Sequence, residues 1–461
     1  SPDTMRALVD TGMNVARLNL SHGSHADHAA NYDMVRQAAD ASGRAVAILA
    51  DLQGPKIRLG RFANGPVDLA VGDEFTITTD DVPGDRHMCS TTYQGLPADS
   101  TVGDRILIDD GRVGFDVTDV TATSVVLRCT EAGRLSDNKG INLPSAAVSV
   151  PAMSDKDVDD LRWALRQGVD MVALSFVRSA ADYEDVARIM REEQVTIPVI
   201  AKIEKPQAVA NLEEIVDTFD GIMVARGDLG VELPLEQVPL VQKRAIALAR
   251  AAAKPVIVAT QMLDSMIHAS RPTRAEASDV ANAVLDGADA LMLSGETSVG
   301  EHPITVVETM ARIIEHIEAE ALDRLPTLRL SDSEGTATAL CSAAVHVARQ
   351  VGAFSLIPFT ETGRSARLVA RHRPATHIMA FTTNPRVRNQ LSLVWGTEPF
   401  LFPPVLHTDD MVVQVDRTLL DIDRFEPNDN LVFIAGVPPG VPGTTNGMRV
   451  HRLGRGASNA D

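Results

Sequence analysis

Residues 199–230 read VIAKIEKPQAVANLEEIVDTFDGIMVARGDLG, and their pattern indicates the class of fold. It contains two short apolar runs, 199–203 and 221–224, on either side of a stretch with a helical pattern. Such runs indicate buried parallel strands, because a parallel sheet is covered by helices on both faces and has few polar positions. The stretch therefore predicts a strand, a helix and a second strand of an α/β protein.

The same pattern recurs along most of the chain. Further apolar runs lie at 15–20, 45–52, 171–177, 256–259 and 290–293, and helical patterns lie at 155–167, 181–193 and 235–253. Seven alternating strands predict either an eight-stranded (β/α)8 TIM barrel without its first strand or an open doubly wound sheet. We favour the barrel, because a missing strand also accounts for a sequence that begins almost directly on a helix.

A second domain is inserted into this pattern, because the interval between residues 52 and 171 is too long for one crossover helix. Apolar and polar residues alternate within it at 74–79, 105–117 and 124–130. Alternation of this kind, separated by glycine turns, predicts a small all-β domain. We place this lid at 59–140 and the barrel at 1–58 and 141–326.

A third domain follows a polar stretch after Pro326 that has the composition of a linker. Predicted strands lie at 354–359, 377–381, 431–435 and 448–453, with helical patterns between them. The sequence therefore predicts a C-terminal α/β domain at 330–461.

Composition argues against several classes of partner. The 461 residues include 43 Lys and Arg against 62 Asp and Glu, so the formal net charge is −19. A field of this sign repels nucleic acid and anionic membranes. No apolar run approaches the roughly 18 residues that indicate a membrane span, and three widely spaced cysteines do not predict a disulfide framework. We expect a cytoplasmic enzyme or regulator.

Charged side chains follow two neighbouring predicted strands. Lys202 and Glu204 are two residues apart where one strand ends, so their side chains point the same way, and Asp228 follows the next strand. Carboxylates that converge repel each other, and a hard cation such as Mg²⁺ removes that repulsion. The pattern predicts a magnesium site with an adjacent ammonium, although a surface ion pair between Lys202 and Glu204 is the simpler alternative.

Polar residues also stand at two other strand ends and along the first run. Thr260 follows the run at 256–259, and Ser294 and Glu296 follow the run at 290–293. A threonine at this place is more often a helix cap than a catalytic group. Arg17, Asn19 and Ser21 alternate along the first run and share one face, where they need polar partners.

Seven segments together resemble pyruvate kinases, in order and at the spacing of that family. They are 14–23 (NVARLNLSHG), 51–58 (DLQGPKIR), 201–206 (AKIEKP), 223–234 (MVARGDLGVELP), 260–266 (TQMLDSM), 271–278 (RPTRAEAS) and 292–297 (MLSGET). The resemblance spans the chain and implies a barrel, an inserted lid and a C-terminal domain. It also implies transfer of the phosphoryl group of phosphoenolpyruvate to ADP, which gives pyruvate and ATP. Pyruvate kinases normally begin with a strand that this sequence lacks, and we expect that a segment upstream is missing.

The resemblance implies roles for individual residues. Glu204 and Asp228 are expected to bind Mg²⁺ or Mn²⁺, and the amides of Gly227 and Asp228 are expected to meet the substrate carboxylate. Lys202 would stabilise the transferring phosphoryl group, and Arg17 would hold it. The resemblance also implies nucleotide contacts from Arg58, Lys139, Asn19 and His22, and protonation of the enolate at Thr260 with Ser294 and Glu296 in a water relay.

Many pyruvate kinases require potassium, and the matching pocket here consists of Asn19, Ser21, Asp51 and Leu52. This sequence departs from the potassium-dependent pattern, because it has Leu52 and Lys56 where those relatives have threonine and glutamate. A tethered ammonium supplies the charge that a monovalent ion would otherwise provide. We therefore predict activity without potassium.

The resemblance also implies regulation and assembly. The C-terminal loop formed by Thr360, Glu361, Thr362, Gly363, Arg364 and Ser365 is expected to bind a sugar phosphate or AMP, with a plain helix cap as the alternative. Glu361 counts against tight binding of a bisphosphate, because it places negative charge beside the phosphates. The family also implies a homotetramer.

Two other functions fit parts of the sequence. A magnesium-dependent barrel lyase that uses phosphoenolpyruvate or pyruvate would share the acids at strand ends, but it would need neither the lid nor the nucleotide cations. A truncated non-catalytic paralogue is the second alternative, and the presence of Lys202, Glu204, Asp228 and Thr260 argues against it.

Overall fold

The computed structural model of the protein describes residues 1–144, 151–328, 330, 335–405 and 407–455. The first part of the barrel consists of α1 (Pro2–Thr11), β1 (Val15–Asn19), α2 (His25–Ser42) and β2 (Ala47–Asp51). Ser24 caps α2 through a reciprocal pair of hydrogen bonds with Asp27. The helix ends at Gly43, whose φ of 71° lies in the left-handed region that glycine adopts readily.

The lid forms the second part of the chain. Its strands are β3 (Val67–Leu69), β4 (Glu74–Thr78), β5 (Met88–Ser90), β6 (Arg105–Ile108), β7 (Val113–Val120), β8 (Ser124–Glu131), β9 (Gly133–Leu135) and β10 (Ile141–Asn142). Six of them form a sheet in the order β10-β6-β7-β8-β4-β5, and β3 pairs with β9. Since β10 pairs with β6, the lid sheet includes residues 141 and 142, beyond the predicted boundary at 140.

The barrel resumes after the lid. Its elements are α3 (Asp155–Gln167), β11 (Met171–Leu174), α4 (Tyr183–Glu193), β12 (Val199–Ile203), α5 (Pro206–Ala210), α6 (Leu212–Thr218), β13 (Gly221–Ala225), α7 (Arg226–Glu232), α8 (Val238–Ala251), β14 (Val256–Ala259), α9 (Arg274–Asp286), β15 (Ala290–Met292), α10 (Gly295–Ser298) and α11 (Pro303–Ala321). Short 3-10 helices lie at Ala180–Asp182, Leu235–Gln237, Asp264–Ile267 and Leu322–Arg324.

The seven barrel strands form one parallel sheet in the order β1-β2-β11-β12-β13-β14-β15. This order follows the chain without reversal, whereas a doubly wound sheet reverses direction at a switch point. The barrel prediction is confirmed, and all seven predicted strands are present. Because the strands are parallel, their carboxyl ends lie at one edge, where a barrel carries its chemistry.

The C-terminal domain consists of α12 (Thr336–Gln350), β16 (Ser355–Pro358), α13 (Arg364–Ala370), β17 (His377–Thr382), α14 (Pro385–Leu391), β18 (Thr397–Leu401), α15 (Thr408–Leu420), β19 (Asn430–Gly436) and β20 (Thr445–Arg452). Its sheet has the order β18-β17-β16-β19-β20, and the predicted strands match all of these except β18. Part of the predicted linker and the last residues of the predicted domain, 456–461, lie outside the described residues.

The segment after α14 closes the amino end of the barrel. The Ser392 hydroxyl accepts from the Ala47 amide at 3.1 Å and lies 2.9 Å from the Asn14 carbonyl oxygen, to which it donates. Leu393 is buried in a cluster with the barrel residues Leu49 and Ile257. The C-terminal domain thus contributes a side chain to the barrel core at the amino ends of the strands. Among the described helices, none is both long and apolar enough to cross a membrane.

Candidate active site

Lys202 lies at the centre of a polar cluster at the carboxyl end of the barrel. It stands on β12, and only 11% of its side chain is exposed. Its ammonium lies 2.8 Å from Glu204 Oε1, 2.8 Å from Ser175 Oγ and 3.3 Å from Asp51 Oδ1. The spacing of two residues on one strand therefore places Lys202 and Glu204 side by side.

Asp51 joins two cations. Its Oδ2 accepts from Arg17 Nε at 2.6 Å, and its Oδ1 faces Lys202 without the geometry of a hydrogen bond. The carboxylate is almost fully buried at the end of β2. A buried carboxylate requires such partners, because burial alone strongly disfavours its charge.

The charge on Lys202 is maintained by its surroundings. Burial opposes the ammonium, but the charge of Asp51 and then that of Glu204 outweigh this effect and raise the pKa of Lys202 above its ordinary value. Lys202 is therefore a permanent cation at neutral pH, held in place by three oxygen atoms.

The second oxygen of Glu204 is held by the backbone. Glu204 Oε2 accepts from the Phe176 amide at 2.7 Å, and Phe176 has a φ of 55°. Gly54 packs against this turn so closely that a Cβ there would lie 2.5 Å from Phe176 Cδ2. The close approach requires glycine at position 54 and fixes the turn that orients the carboxylate.

Asp228 lies on α7, next to the cluster. Burial first, and then the charge of Glu204, raise the pKa of Asp228 to about 6, while Lys202 and Lys56 act in the opposite direction. Asp110 of the lid adds to the increase. Asp228 and Glu204 suit a divalent cation, whose charge would remove the repulsion between the two carboxylates.

The protein itself offers a small set of metal ligands. Within the described residues, no group of three or more His, Cys, Asp or Glu is placed to hold a metal ion. Glu204 and Asp228 together supply two carboxylates, which fits a magnesium ion that takes its other oxygens from a phosphorylated ligand and water.

Thr260 and Gly227 are joined directly. The Thr260 hydroxyl accepts from the Gly227 amide at 2.7 Å and donates to the Ala259 carbonyl at 2.6 Å. Glu296 is buried in α10. Its Oε1 accepts from the Leu263 amide, and its Oε2 accepts from the Ser294 amide. Glu296 thus ties the loops that follow β14 and β15 together.

The predicted nucleotide residues lie mainly on the lid side. Lys139 Nζ lies 2.7 Å from Asp109 Oδ1, and Arg58 donates to the Asn138 carbonyl at 3.0 Å. The lid also contacts the barrel, since Asn142 donates to Glu232 Oε1 at 2.8 Å. Both cations are thus held by residues of the lid.

The remaining predicted residues lie at the end of β1 or in the segments that follow β1 and β2. Asn19 Oδ1 accepts from the Ser21 amide at 3.2 Å, and the His22 carbonyl lies 2.8 Å from His28 Nε2. Leu52 is buried, and its carbonyl accepts from Ser175 Oγ at 2.7 Å. Lys56 is exposed, yet desolvation of its ammonium and then the charge of Arg58 lower its pKa.

The predicted effector loop lines a separate cleft in the C-terminal domain. About 580 Å³ of space, part of it open to solvent, lies between residues 360–365 and the segment 436–445. Ser365 Oγ and Thr445 Oγ1 lie 2.7 Å apart across it. Glu361 Oε2 accepts from Thr383 Oγ1 at 3.0 Å, so its carboxylate is engaged just before α14.

Sequence reasoning missed several residues of the site. Ser175 follows β11 as Thr260 follows β14, so its position at a strand end was a usable signal. The charge of Asp110 affects the pKa of Asp228 from the lid, and no local sequence pattern reveals that proximity. Arg226 stands beside Gly227, and its contacts with the next loop depend on tertiary structure.

The chain is similar to two known protein-family models. A family model described as the barrel domain of pyruvate kinase matches residues 1–307. A second model, described as the alpha/beta domain of pyruvate kinase, matches residues 338–451. The two matches cover most of the chain and follow the division into a barrel and a C-terminal domain.

Individual proteins give the same result. A pyruvate kinase of Corynebacterium efficiens is 56% identical over 455 residues, which cover 98% of this chain and 95% of the relative. A pyruvate kinase of Mycobacterium tuberculosis is 54% identical over 452 residues, with coverage of 98% and 95%. The crystal structure of a pyruvate kinase from Cryptosporidium parvum aligns with a TM-score of 0.91 at 35% identity and covers 98% of this chain and 93% of that one.

Proposed function

The chain belongs to the pyruvate kinase family, and we propose how its residues share the transfer of a phosphoryl group from phosphoenolpyruvate to ADP. It is a phosphotransferase of that family. The observation that carries the assignment is the buried cluster in which Lys202 contacts Glu204 and Asp51. Both substrates are anions, so catalysis depends on positioned positive charge.

Glu204 and Asp228 would hold Mg²⁺, or Mn²⁺ in its place, and this ion supplies positive charge to the anionic oxygens of the substrate. Lys202 lies beside Glu204 and would stabilise the charge on the transferring phosphoryl group. Arg17 would hold the phosphate, and its bond to Asp51 fixes the direction of its guanidinium. Lys202 and Arg17 thus share one carboxylate that orients both.

The amides of Gly227 and Asp228 would meet the substrate carboxylate. In the structure the Gly227 amide donates to Thr260 Oγ1, so a carboxylate oxygen would take the place of that hydroxyl. Thr260 would then be released to face the enolate carbon and its proton. Ser294 and Glu296 are assigned to the water relay behind it, because Glu296 binds the backbone on both sides of that region.

The nucleotide phosphates would contact Arg58 and Lys139 at the lid edge, with Asn19 and His22 on the barrel side. Lys139 is paired with Asp109, so ADP would compete with that carboxylate for the ammonium. The potassium-type pocket of Asn19, Ser21, Asp51 and Leu52 would be served by Lys56. Burial and the charge of Arg58 lower the pKa of Lys56, while the charges of Asp228 and Glu204 oppose this effect. We propose that the enzyme works without added potassium.

Regulation, assembly and location are further parts of the proposal. The cleft at residues 360–365 would bind a sugar phosphate or AMP, and the hydroxyl groups of Thr360, Thr362 and Ser365 line it. We also propose a homotetramer in the cytoplasm, on the basis of family membership alone. Sedimentation with and without the phosphorylated ligand tests the assembly.

The reaction itself is tested by a coupled assay. The purified protein is given phosphoenolpyruvate, ADP and Mg²⁺, and pyruvate is followed by lactate dehydrogenase and NADH. We expect pyruvate to form only when both ADP and the divalent ion are present. Formation of pyruvate without ADP would favour the lyase, and no turnover under any condition would favour the non-catalytic protein.

A further inference from the structure

The turn after β14 has an unusual backbone. Two consecutive residues other than glycine lie in the left-handed region, with φ of 72° at Thr260 and 53° at Gln261. A β-branched residue rarely adopts this conformation, because its side chain crowds the backbone. Such conformations persist only where neighbouring groups hold them. The turn therefore needs an external restraint.

Arg226 provides this restraint through contacts with the backbone carbonyl groups of the turn. Its Nη2 lies 2.7 Å from the Thr260 carbonyl and 3.5 Å from the Gln261 carbonyl, and its Nε lies 3.4 Å from the Ala259 carbonyl. One guanidinium thus faces three successive carbonyl oxygens. Its Nη1 donates to Asp279 Oδ1 on α9 at 2.7 Å, so the group is held from the other side as well.

Arg226 also connects the turn to the substrate side of the site. It directly precedes Gly227, whose amide donates to Thr260 Oγ1. The same segment therefore holds the Thr260 backbone through the guanidinium and the Thr260 hydroxyl through the amide. Lysine could not reproduce this arrangement, because its single ammonium has no planar fork of donors.

We propose that Arg226 is a positioning residue that holds the turn at 259–261 so that the Thr260 hydroxyl is correctly placed for proton transfer. The inference rests on the function proposed above, because it deepens the role of Thr260 in that reaction. Arg226 itself stays outside the reacting atoms. Its contribution is to restrain a backbone that would otherwise relax.

The test compares Arg226→Lys with the unmodified enzyme. We expect kcat to fall about 10- to 100-fold, since misplacement of a catalytic group by about 1 Å has effects of this size. The KM for phosphoenolpyruvate should change much less, because Lys202, Glu204 and Asp228 are untouched. The solvent deuterium isotope effect on kcat should increase, because proton delivery becomes slower than phosphoryl transfer.

A second measurement is independent of turnover. Hydrogen exchange of the peptide that covers residues 259–266, followed by mass spectrometry, should become at least about tenfold faster in Arg226→Lys, because the turn opens locally. Adding Gln261→Gly should recover part of kcat, since glycine adopts positive φ without strain. Unchanged hydrogen exchange, or a lower kcat with an unchanged isotope effect, would overturn the inference.

Arg244→Lys is the matched control. Arg244 lies on α8, and its side chain contacts the Val209 carbonyl and Glu213 near the surface. The control should leave kcat, the isotope effect and hydrogen exchange of the turn unchanged. Loss of ADP-dependent turnover in the unmodified protein would contradict the proposed function instead, and the exchange measurement would still decide whether Arg226 restrains the turn.

Discussion

The two ends of the barrel differ in how their side chains are satisfied. At the carboxyl end, Asp51, Glu204 and Asp228 crowd around Lys202, and one oxygen of Asp51 has no hydrogen bond although it is buried. At the amino end, Leu393 of the C-terminal domain fills the core next to Leu49 and Ile257. Apolar side chains pack together at the amino end, whereas a buried carboxylate oxygen lacks a hydrogen-bond donor at the carboxyl end.

Charged groups occur at the amino end too, where a buried arginine faces a carboxylate. Arg373 lies 3.0 Å from Asp289 Oδ2 and donates to the Gly287 carbonyl at 2.7 Å. Trp395 covers the guanidinium, with 5.2 Å between Arg373 Cζ and the ring centroid. The comparison shows that burial of charge does not by itself mark a site. The informative feature is a pair of neighbouring carboxylates, Glu204 and Asp228, whose repulsion a bound cation would remove.

Lys202→Met should have the largest effect on activity. It removes the ammonium that stabilises the transferring group, so we expect kcat to fall about 100- to 1000-fold, as for loss of one strong electrostatic contact. The KM for phosphoenolpyruvate should change much less. The coupled assay measures both, and circular dichroism checks that the variant folds.

Lys254→Met is its counterpart at the amino end. Lys254 precedes β14 and donates to the Asp217 carbonyl at 2.8 Å, away from the polar cluster. Its kcat should stay within about twofold of the original, because it touches no part of the reaction. Equal losses of kcat in the two variants would show that the division between the ends is wrong.

Leu393→Ala should affect the stability of the protein much more than its activity. Truncation of a buried leucine leaves a cavity, so we expect the free energy of unfolding to decrease by about 2–5 kcal/mol while kcat changes little. Urea denaturation and the coupled assay measure the two quantities. Leu401→Ala, at a side chain that is 49% exposed, should change the free energy of unfolding by only about 0.5 kcal/mol. A large loss of kcat in Leu393→Ala would mean that the amino end also controls the chemistry.

The barrel could be predicted from sequence because its strands are buried on both faces and read as unbroken apolar runs. β18 was missed because Glu398 and Pro399 interrupt the pattern, and proline is tolerated there since β18 lies at the edge of the sheet.

The residues of the site also divide into those that the sequence pattern could place and those that it could not. Lys202 and Glu204 could be placed together because two residues on one strand share a face. Asp110 and Leu393 could not be assigned, because each acts on barrel residues from another domain: Asp110 through its charge and Leu393 through packing. Contacts between domains are set by tertiary docking and leave no periodic signal in the sequence.

The smallest expected effect concerns potassium. Burial and the charge of Arg58 lower the pKa of Lys56, but the charges of Asp228 and Glu204 oppose this effect, so the carboxyl end has a tethered cation of its own. In tetramethylammonium buffer, addition of potassium chloride should therefore change kcat by less than about twofold.

Lys56→Gln should lower kcat in tetramethylammonium and recover activity with potassium, whereas Lys254→Gln should behave like the original enzyme in both buffers. Activation of the unmodified enzyme by potassium of about tenfold or more, equivalent to about 1.4 kcal/mol in transition-state stabilisation, would show that Lys56 does not replace the ion.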